Sequence, residues 1–102
     1  MAKRYSVEIT QIAEKDIREI YDYISLDKMS SARQWVRELE RQIESLESFP
    51  LRCPVIPESR ELGKAYRHLI YGNYRTIFKV VGERVVIMRV IHGARLLDTG
   101  IL

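Results

Sequence analysis

The chain has 102 residues, of which 46% are hydrophobic and 30% charged, and its formal net charge is +3. This composition excludes a disordered chain. The length leaves room for one core and predicts a single domain over residues 1–102. The one cysteine, Cys53, excludes an intramolecular disulfide, and the spacing of Cys53, His68 and His92 matches no zinc site. No apolar run approaches the roughly 18 residues of a membrane span, and the N-terminus lacks the apolar stretch of a signal peptide, so we expect a cytoplasmic protein without metal, cofactor or membrane segment.

The first residues of the chain predict a strand followed by a helix. Residues 5–9 alternate apolar and polar side chains, which is the period of a half-buried strand. Thr10 is a candidate N-cap for the helix, whose apolar positions form one stripe at helical spacing. These positions are Ala13, Ile17, Ile20, Tyr21 and Ile24.

A second helix follows after the apolar spacing breaks at residues 26–29, where Ser30 or Ser31 offers a new N-cap. Its apolar stripe continues to about residue 48. The stripe contains Ala32, Trp35, Val36, Leu39, Ile43 and Leu46. Phe49-Pro50 ends the helix, because the residue before a proline is disfavoured in the α region. Two helices joined by a short link predict an αα-hairpin.

The second half of the chain predicts an antiparallel sheet. Residues 50–64 are irregular, apart from one helical turn over residues 58–62. Three strand-like runs then cover residues 66–71, 74–81 and 84–92, with glycine-containing turns between them. Links this short demand hairpins, so the runs form a meander. The predicted fold is α+β in the order β-α-α-β-β-β, with both helices packed on one face of the sheet. The tail, residues 93–102, either packs onto the sheet or stays loose.

The positive charge is concentrated in the second half of the chain. Residues 1–49 carry 8 Lys/Arg and 10 Asp/Glu, whereas residues 50–102 carry 9 and 4. A basic half suits an acidic protein segment or a nucleic-acid backbone, and it is equally the pattern of a solvated face.

Alternation along the meander assigns side chains to the two faces of the sheet. On the second strand, Arg75, Ile77, Lys79 and Val81 share one side, and Tyr74, Thr76, Phe78 and Val80 share the other. On the third strand, the predicted groups are Val86, Met88, Val90 and His92 against Val85, Ile87, Arg89 and Ile91. One face must take the helices. The other carries basic side chains that could hold an extended or anionic partner.

Few residues are candidates for chemistry. His92 stands at a strand end, where an imidazole can act as a general acid or base, or can simply hydrogen-bond the backbone and end the strand. We expect structural roles for His68 and for Trp35, which lies on the helical stripe. Cys53 has a basic neighbour that could lower its pKa, but it belongs to no nucleophile motif and is expected to be an incidental loop thiol. The chain contains no phosphate loop, dinucleotide fingerprint or metal motif.

The segments RHLIYGNYRTIFKV, residues 67–80, and VVIMRVIHGAR, residues 85–95, carry a more informative pattern. Together they resemble the RelE/ParE superfamily of toxins from bacterial type II toxin–antitoxin modules, and the ParE branch especially. The resemblance implies a toxin held inactive by a cognate antitoxin, whose C-terminal segment wraps the helices and the sheet. An acidic, amphipathic segment would suit the basic side chains. The predicted partner-binding residues are Arg67, Arg75, Lys79, Arg89 and Arg95.

The two branches imply different targets. ParE-like members inhibit DNA gyrase and are not known as nucleases, whereas RelE-like members are ribosome-dependent mRNA endonucleases. For a nuclease, Arg75 matches the arginine that contacts the phosphate and His92 the strand-end histidine, with Arg95 as a third candidate.

The residues after His92 depart from both patterns. Ala94 replaces a basic residue of the nucleases, and Leu96-Leu97 stand where those enzymes often have a tyrosine. Leu96 also replaces an acidic residue common in ParE-like sequences. One arginine and one histidine would equip the chain poorly for phosphoryl chemistry, and the long helical hairpin resembles the ParE branch more. The chain is therefore predicted to be a gyrase inhibitor with no favoured catalytic residue. The alternatives are an mRNA endonuclease and a degenerate member that binds only the antitoxin.

Overall fold

A strand, two long helices and three further strands follow one another along the chain, which confirms the predicted α+β order. The computed structural model describes residues 4–95, except for the side chain of Glu61; the predicted tail beyond residue 95 lies outside these residues. The strands are β1 (Ser6–Ile9), β2 (Arg67–Tyr71), β3 (Tyr74–Val81) and β4 (Arg84–His92). The helices are α1 (Gln11–Asp27), α2 (Met29–Glu44) and the single turn α3 (Ser59–Leu62). Short 3-10 turns cover Ser45–Glu47 and Pro50–Arg52.

The four strands form one mixed sheet in the order β1-β4-β3-β2. The meander is antiparallel as predicted, and β1 lies parallel to β4, from Ser6 opposite Arg84 to Ile9 opposite Ile87. A parallel neighbour needs a long crossover, and the two helices provide it.

Helix α1 begins at the end of β1 and continues along the edge of β4 that β1 leaves uncovered. The Thr10 hydroxyl donates to the carbonyl of Ile87 at 2.9 Å and accepts from the Ala13 N–H at 3.2 Å, so Thr10 is the N-cap that the sequence predicts. One turn further on, the Asp16 carboxylate accepts from the backbone N–H of Val90 at 3.0 Å. The helix and its N-cap therefore satisfy one acceptor and one donor of the strand that would otherwise remain unpaired.

The prediction that Ser30 or Ser31 caps α2 was wrong, because the two long helices are separated by a single residue, Lys28. Lys28 is extended, with φ −154° and ψ 115°, and its side chain makes no capping bond. Its N–H donates to the Ile24 carbonyl at 3.1 Å, and its carbonyl accepts from Ser31 and Ala32 at 3.1 and 3.2 Å. One extended residue therefore ends one helix and begins the next.

The core lies on both faces of the sheet. The helical hairpin covers the first face, where its apolar stripes pack against Phe78, Val85, Ile87 and Val90. On the second face, the connection before β2 places Ile56 and Tyr66 over Ile77 and Ile91.

The predicted faces of β3 are confirmed, but those of β4 were wrong for the second half of the strand. The register shifts between Ile77 and Phe78, which pair with Arg89 and Ile87, so that Met88 is an extra residue. A bulge of this kind moves all later side chains to the opposite face. Val90 therefore packs with Val85 and Ile87 in the hairpin core, and Ile91 packs in the second core.

The chain reverses direction after α2 at an unusual backbone position. Phe49 has φ 52° and ψ 51°, the left-handed conformation that bulky residues rarely adopt, and the residue is 65% exposed. Pro50 follows and is buried. Among residues 4–95, none of the helices is both long and apolar enough to cross a bilayer.

Candidate functional site

Arg75, the central residue of both the partner-binding and the nuclease predictions, is buried on the second face of the sheet. It is 5% exposed, and its guanidinium forms a bidentate ion pair with Glu58, in which Nη1 donates to Oε1 at 3.0 Å and Nη2 to Oε2. Nη2 also donates to the backbone carbonyl of Arg95 at 2.6 Å. Because Glu58 is itself buried, the charge of Arg75 is compensated inside the protein and is not presented to a partner.

His68 lies buried beside this ion pair. Within residues 4–95, neither its Nδ1 nor the Nε of Arg75 has a hydrogen-bond partner. Burial lowers the pKa of His68, and the positive charge of Arg75 lowers it further, with Glu58 acting in the opposite direction. The imidazole is therefore held neutral, in agreement with a structural role.

Arg89 is also paired internally. Its Nε donates to Asp16 Oδ2 at 2.7 Å and its Nη2 to Oδ1 at 2.9 Å. The hydrogen bonds that Arg89 donates to Asp16 raise the pKa of its guanidinium. Since Asp16 also accepts from the Val90 N–H, this pair fixes α1 to the edge of β4.

The other three predicted partner-binding residues differ in how they are held. Arg67 Nη1 donates to the carbonyls of Cys53 at 2.6 Å and Leu51 at 3.3 Å, which ties the loop before it to β2. Lys79 is half-buried and Arg95 is exposed, and within residues 4–95 neither side chain makes a hydrogen bond or ion pair. The partner-binding role of the five residues stays a prediction.

His92 lies on the opposite face of the sheet from Arg75. Its ring packs edge-on against Tyr74 with centroids 5.7 Å apart, and its Nδ1 accepts from the Ala94 N–H at 3.1 Å. His92 and Arg95 line a cavity of about 180 Å³ together with Asp16 and Glu19. Of the three residues of the nuclease alternative, His92 and Arg95 therefore share a cavity, whereas the Arg75 guanidinium contacts Arg95 at its backbone carbonyl and lies on the opposite face of the sheet from His92.

Sequence reasoning missed a larger groove between the tip of the helical hairpin and the β2–β3 turn, which we call the hairpin groove. It has a volume of about 780 Å³. It is lined by Tyr23, Ile24, Leu26, Asp27, Ser31, Trp35, Tyr71, Gly72, Asn73 and Tyr74. Two sequence signals could have indicated it. Tyr23 and Leu26 are large apolar residues beside the buried stripe of α1, and tyrosines stand on both sides of the Gly72-Asn73 turn.

Aromatic side chains form the floor of the hairpin groove. Trp35 and Tyr74 pack edge to face with ring centroids 5.5 Å apart. The buried Trp35 Nε1 has no acceptor within the part of the chain that the structure describes. Burial raises the pKa of the Tyr74 hydroxyl, and the neighbouring Tyr23 raises it further, so Tyr74 is a neutral phenol at physiological pH.

The metal-ligand residue types and the one cysteine were also located in the described range. Among residues 4–95, no three His, Cys, Asp or Glu side chains are grouped to hold a metal ion. Cys53 is buried, and burial raises the pKa of its thiol despite the opposing effect of Arg52 and Arg67. A raised pKa disfavours the reactive thiolate.

Comparison with known proteins supplies the family. A chain of the chromosomal ParDE toxin–antitoxin system from P. aeruginosa superposes with a TM-score of 0.68 and 21% identity, over 89% of this chain and 98% of the other. A chain of the toxin–antitoxin complex RelBE2 from Mycobacterium tuberculosis superposes with a TM-score of 0.60 and 25% identity, over 90% and 94%. No curated protein matches significantly. The model of the family described as the ParE toxin of the type II toxin–antitoxin system parDE matches residues 7–97. Since this match spans most of the sequence, the chain belongs to the ParE toxin family.

Proposed function

We propose that this toxin acts in the cytoplasm by binding DNA gyrase and inhibiting it, and that a cognate antitoxin neutralises it. Membership of the ParE family supports the first part of the proposal. Both similar structures come from toxin–antitoxin systems, which supports the second.

The internal pairing of Arg75 is the observation that supports a binding mechanism rather than mRNA cleavage. Cleavage of a phosphodiester needs a cation at the phosphate and a group that transfers protons. Here the buried carboxylate of Glu58 holds the Arg75 guanidinium, and His92 lies on the other face of the sheet. An RNA phosphate would have to displace a bidentate, buried carboxylate before it could reach Arg75.

One observation favours the mRNA endonuclease as a second candidate. His92 and Arg95 share a cavity with Glu19, so a proton-transfer group, a cation and a carboxylate lie near each other.

For antitoxin binding, we propose Arg67, Arg75, Lys79, Arg89 and Arg95. Lys79 and Arg95 would make direct contacts, whereas Arg67, Arg75 and Arg89 would preserve the surface through their internal bonds.

Gyrase supercoiling, assayed beside ribosome-dependent mRNA cleavage with the same purified chain, tests the proposal. We expect supercoiling to be inhibited and the mRNA to stay intact. His92→Ala and Arg95→Ala change exposed side chains, so both variants should fold. His92→Ala should inhibit gyrase as well as the parent does, because no proton transfer is involved. Cleaved mRNA with normal supercoiling, with cleavage lost in His92→Ala, would instead establish the endonuclease.

A further inference from the structure

The outer edge of β1 is open over the part of the chain that the structure describes, because β1 is the last strand on its side of the sheet. The backbone N–H groups of Ser6 and Thr10 donate to β4 and to the turn before it, at 2.9 and 3.2 Å. Since backbone groups alternate in direction along a strand, Val7 and Ile9 direct their N–H groups away from β4. An edge of this kind is a template for a further strand.

A groove with an apolar floor follows this open edge, and we call it the β1 groove. It lies between β1 and the two long helices and has a volume of about 480 Å³, within the range of roughly 300–1,000 Å³ typical of ligand pockets. The apolar residues that line it are Val7, Ile9, Ile17 and Ile43. An extended segment that pairs with β1 would place every second side chain on this floor.

The charges around the β1 groove indicate the chemistry of its occupant. Among the described residues, its lining carries four carboxylates and a single guanidinium, that of Arg18. The carboxylates belong to Glu14, Glu40, Glu44 and Glu47. Glu40 and Glu44 stand one turn apart at the C-terminal end of α2, where like charges repel and the helix dipole favours cations. This placement costs stability, whereas Lys or Arg side chains of a partner would be attracted to it.

The same charges disfavour two other occupants. Two copies of the chain that paired through β1 would bring two acidic grooves together, and like charges would repel. An acidic antitoxin segment, of the kind expected for the basic half of the chain, would be repelled as well. Of the two partners under the proposed function, the target therefore suits the β1 groove better than the antitoxin does.

We infer that the β1 groove binds an extended segment of the toxin's target, which pairs with β1 at Val7 and Ile9 and places Lys or Arg side chains among the glutamates. The inference rests on the proposed function, since it takes that target to be DNA gyrase. Main-chain hydrogen bonds to β1 give such a segment affinity, and the apolar floor and acidic rim give selectivity. The β1 groove and the hairpin groove share no lining residue, so substitutions can test each of them separately.

Matched lysine substitutions test the inference through the affinity for purified gyrase. Ile9→Lys is compared with Ile12→Lys, because both isoleucines are exposed and Ile12 does not line the β1 groove. Glu40→Lys is compared with Glu83→Lys, which makes the same charge change in the exposed β3–β4 turn. We expect Ile9→Lys and Glu40→Lys to weaken gyrase binding at least about tenfold relative to their controls. The affinity for full-length antitoxin should match that of the parent chain in all four variants, which also shows that they are folded.

A peptide probe separates this inference from the proposed function. A synthetic peptide that alternates lysine and valine should bind the parent chain and shift the NMR signals of the Val7 and Ile9 amides, whereas a glutamate–valine peptide should not. If the parent does not bind gyrase but this lysine peptide binds and Glu40→Lys abolishes its binding, the gyrase proposal fails and the groove assignment stands.

Two results would overturn the assignment. In the first, Ile9→Lys and Glu40→Lys bind gyrase, or the lysine peptide where gyrase does not bind, as tightly as their controls do. In the second, these two variants lose affinity for the antitoxin and keep their affinity for gyrase, because the β1 groove would then belong to the antitoxin.

Discussion

Glu58 determines what Arg75 can do, because a buried guanidinium needs a counter-charge. Glu58→Ala should lower the free energy of unfolding by about 3–5 kcal/mol, since removing one partner of a buried ion pair leaves the other charge uncompensated. Urea denaturation measures the change. Glu38→Ala is the control, because Glu38 also pairs with an arginine, Arg41, but at the surface, and we expect a far smaller effect. Equal effects of the two substitutions would show that the Arg75 charge is solvated rather than buried.

His68 makes the stability of the fold depend on pH. Burial and Arg75 lower its pKa from the ordinary value of 6.5, so below about pH 6.5 the unfolded chain binds a proton that the folded chain resists. This contribution to stability is present above the unfolded-state pKa and is lost as the pH falls toward the lower folded-state pKa.

The variant His68→Gln removes this dependence. Denaturant unfolding, repeated from neutral to mildly acidic pH, should show a smaller loss of stability on acidification for His68→Gln than for the parent chain. The exposed His92→Gln should behave like the parent. If His68→Gln and His92→Gln lose the same stability between neutral and acidic pH, His68 is not the group that causes the pH dependence.

At the level of the elements, the link between the two 3-10 turns after α2 contains a left-handed residue, Phe49, whose side chain suits neither the conformation nor the solvent. The substitution Phe49→Gly removes the steric cost of φ 52°, whereas Phe49→Ala keeps it. The free energy of unfolding should therefore be higher for Phe49→Gly than for Phe49→Ala by about 1 kcal/mol. This is the reverse of the order of glycine and alanine inside a helix. Thermal or urea unfolding of the two variants measures the difference. If alanine is the more stable, the backbone at residue 49 is not left-handed.

The elements themselves were predictable from the sequence, because the apolar period is a local property. Period 2 located the strands and helical spacing located α1 and α2, including the cap at Thr10. The parallel pairing of β1 with β4 was not predicted, since alternation does not record which strand lies opposite. Alternation also cannot reveal the extra residue Met88, and for this reason the predicted faces of Val90 and Ile91 were wrong.

The candidate site was less predictable than the fold. Glu58 lies in an irregular segment 17 residues before Arg75, and no local pattern connects them. Asp16 and Arg89 are still further apart along the chain. A sequence shows that Arg75 and Arg89 are charged, but only the tertiary structure shows that each has an internal carboxylate partner.

For the molecule as a whole, these internal pairs reduce the share of the positive charge that is presented at the surface. Residues 50–102 are rich in arginine, yet Arg67, Arg75 and Arg89 direct their guanidinium groups to carbonyls and carboxylates of the same chain. Their charges contribute more to holding loops and helices on the sheet than to a basic surface. Among residues 50–95, the cations that are exposed are instead Arg52, Arg60, Lys64, Arg84 and Arg95.

The parallel pairing of β1 with β4 also affects when the toxin can first exist during its synthesis. Ser6–Ile9 are made well before their partner residues, Arg84–Ile87. Folding that depends on such distant contacts must wait for the later strand. Until then the sheet lacks the strand that β1 pairs with. A cell that makes this protein therefore has an interval, set by the rate of translation, in which the polypeptide is present and the folded toxin is not.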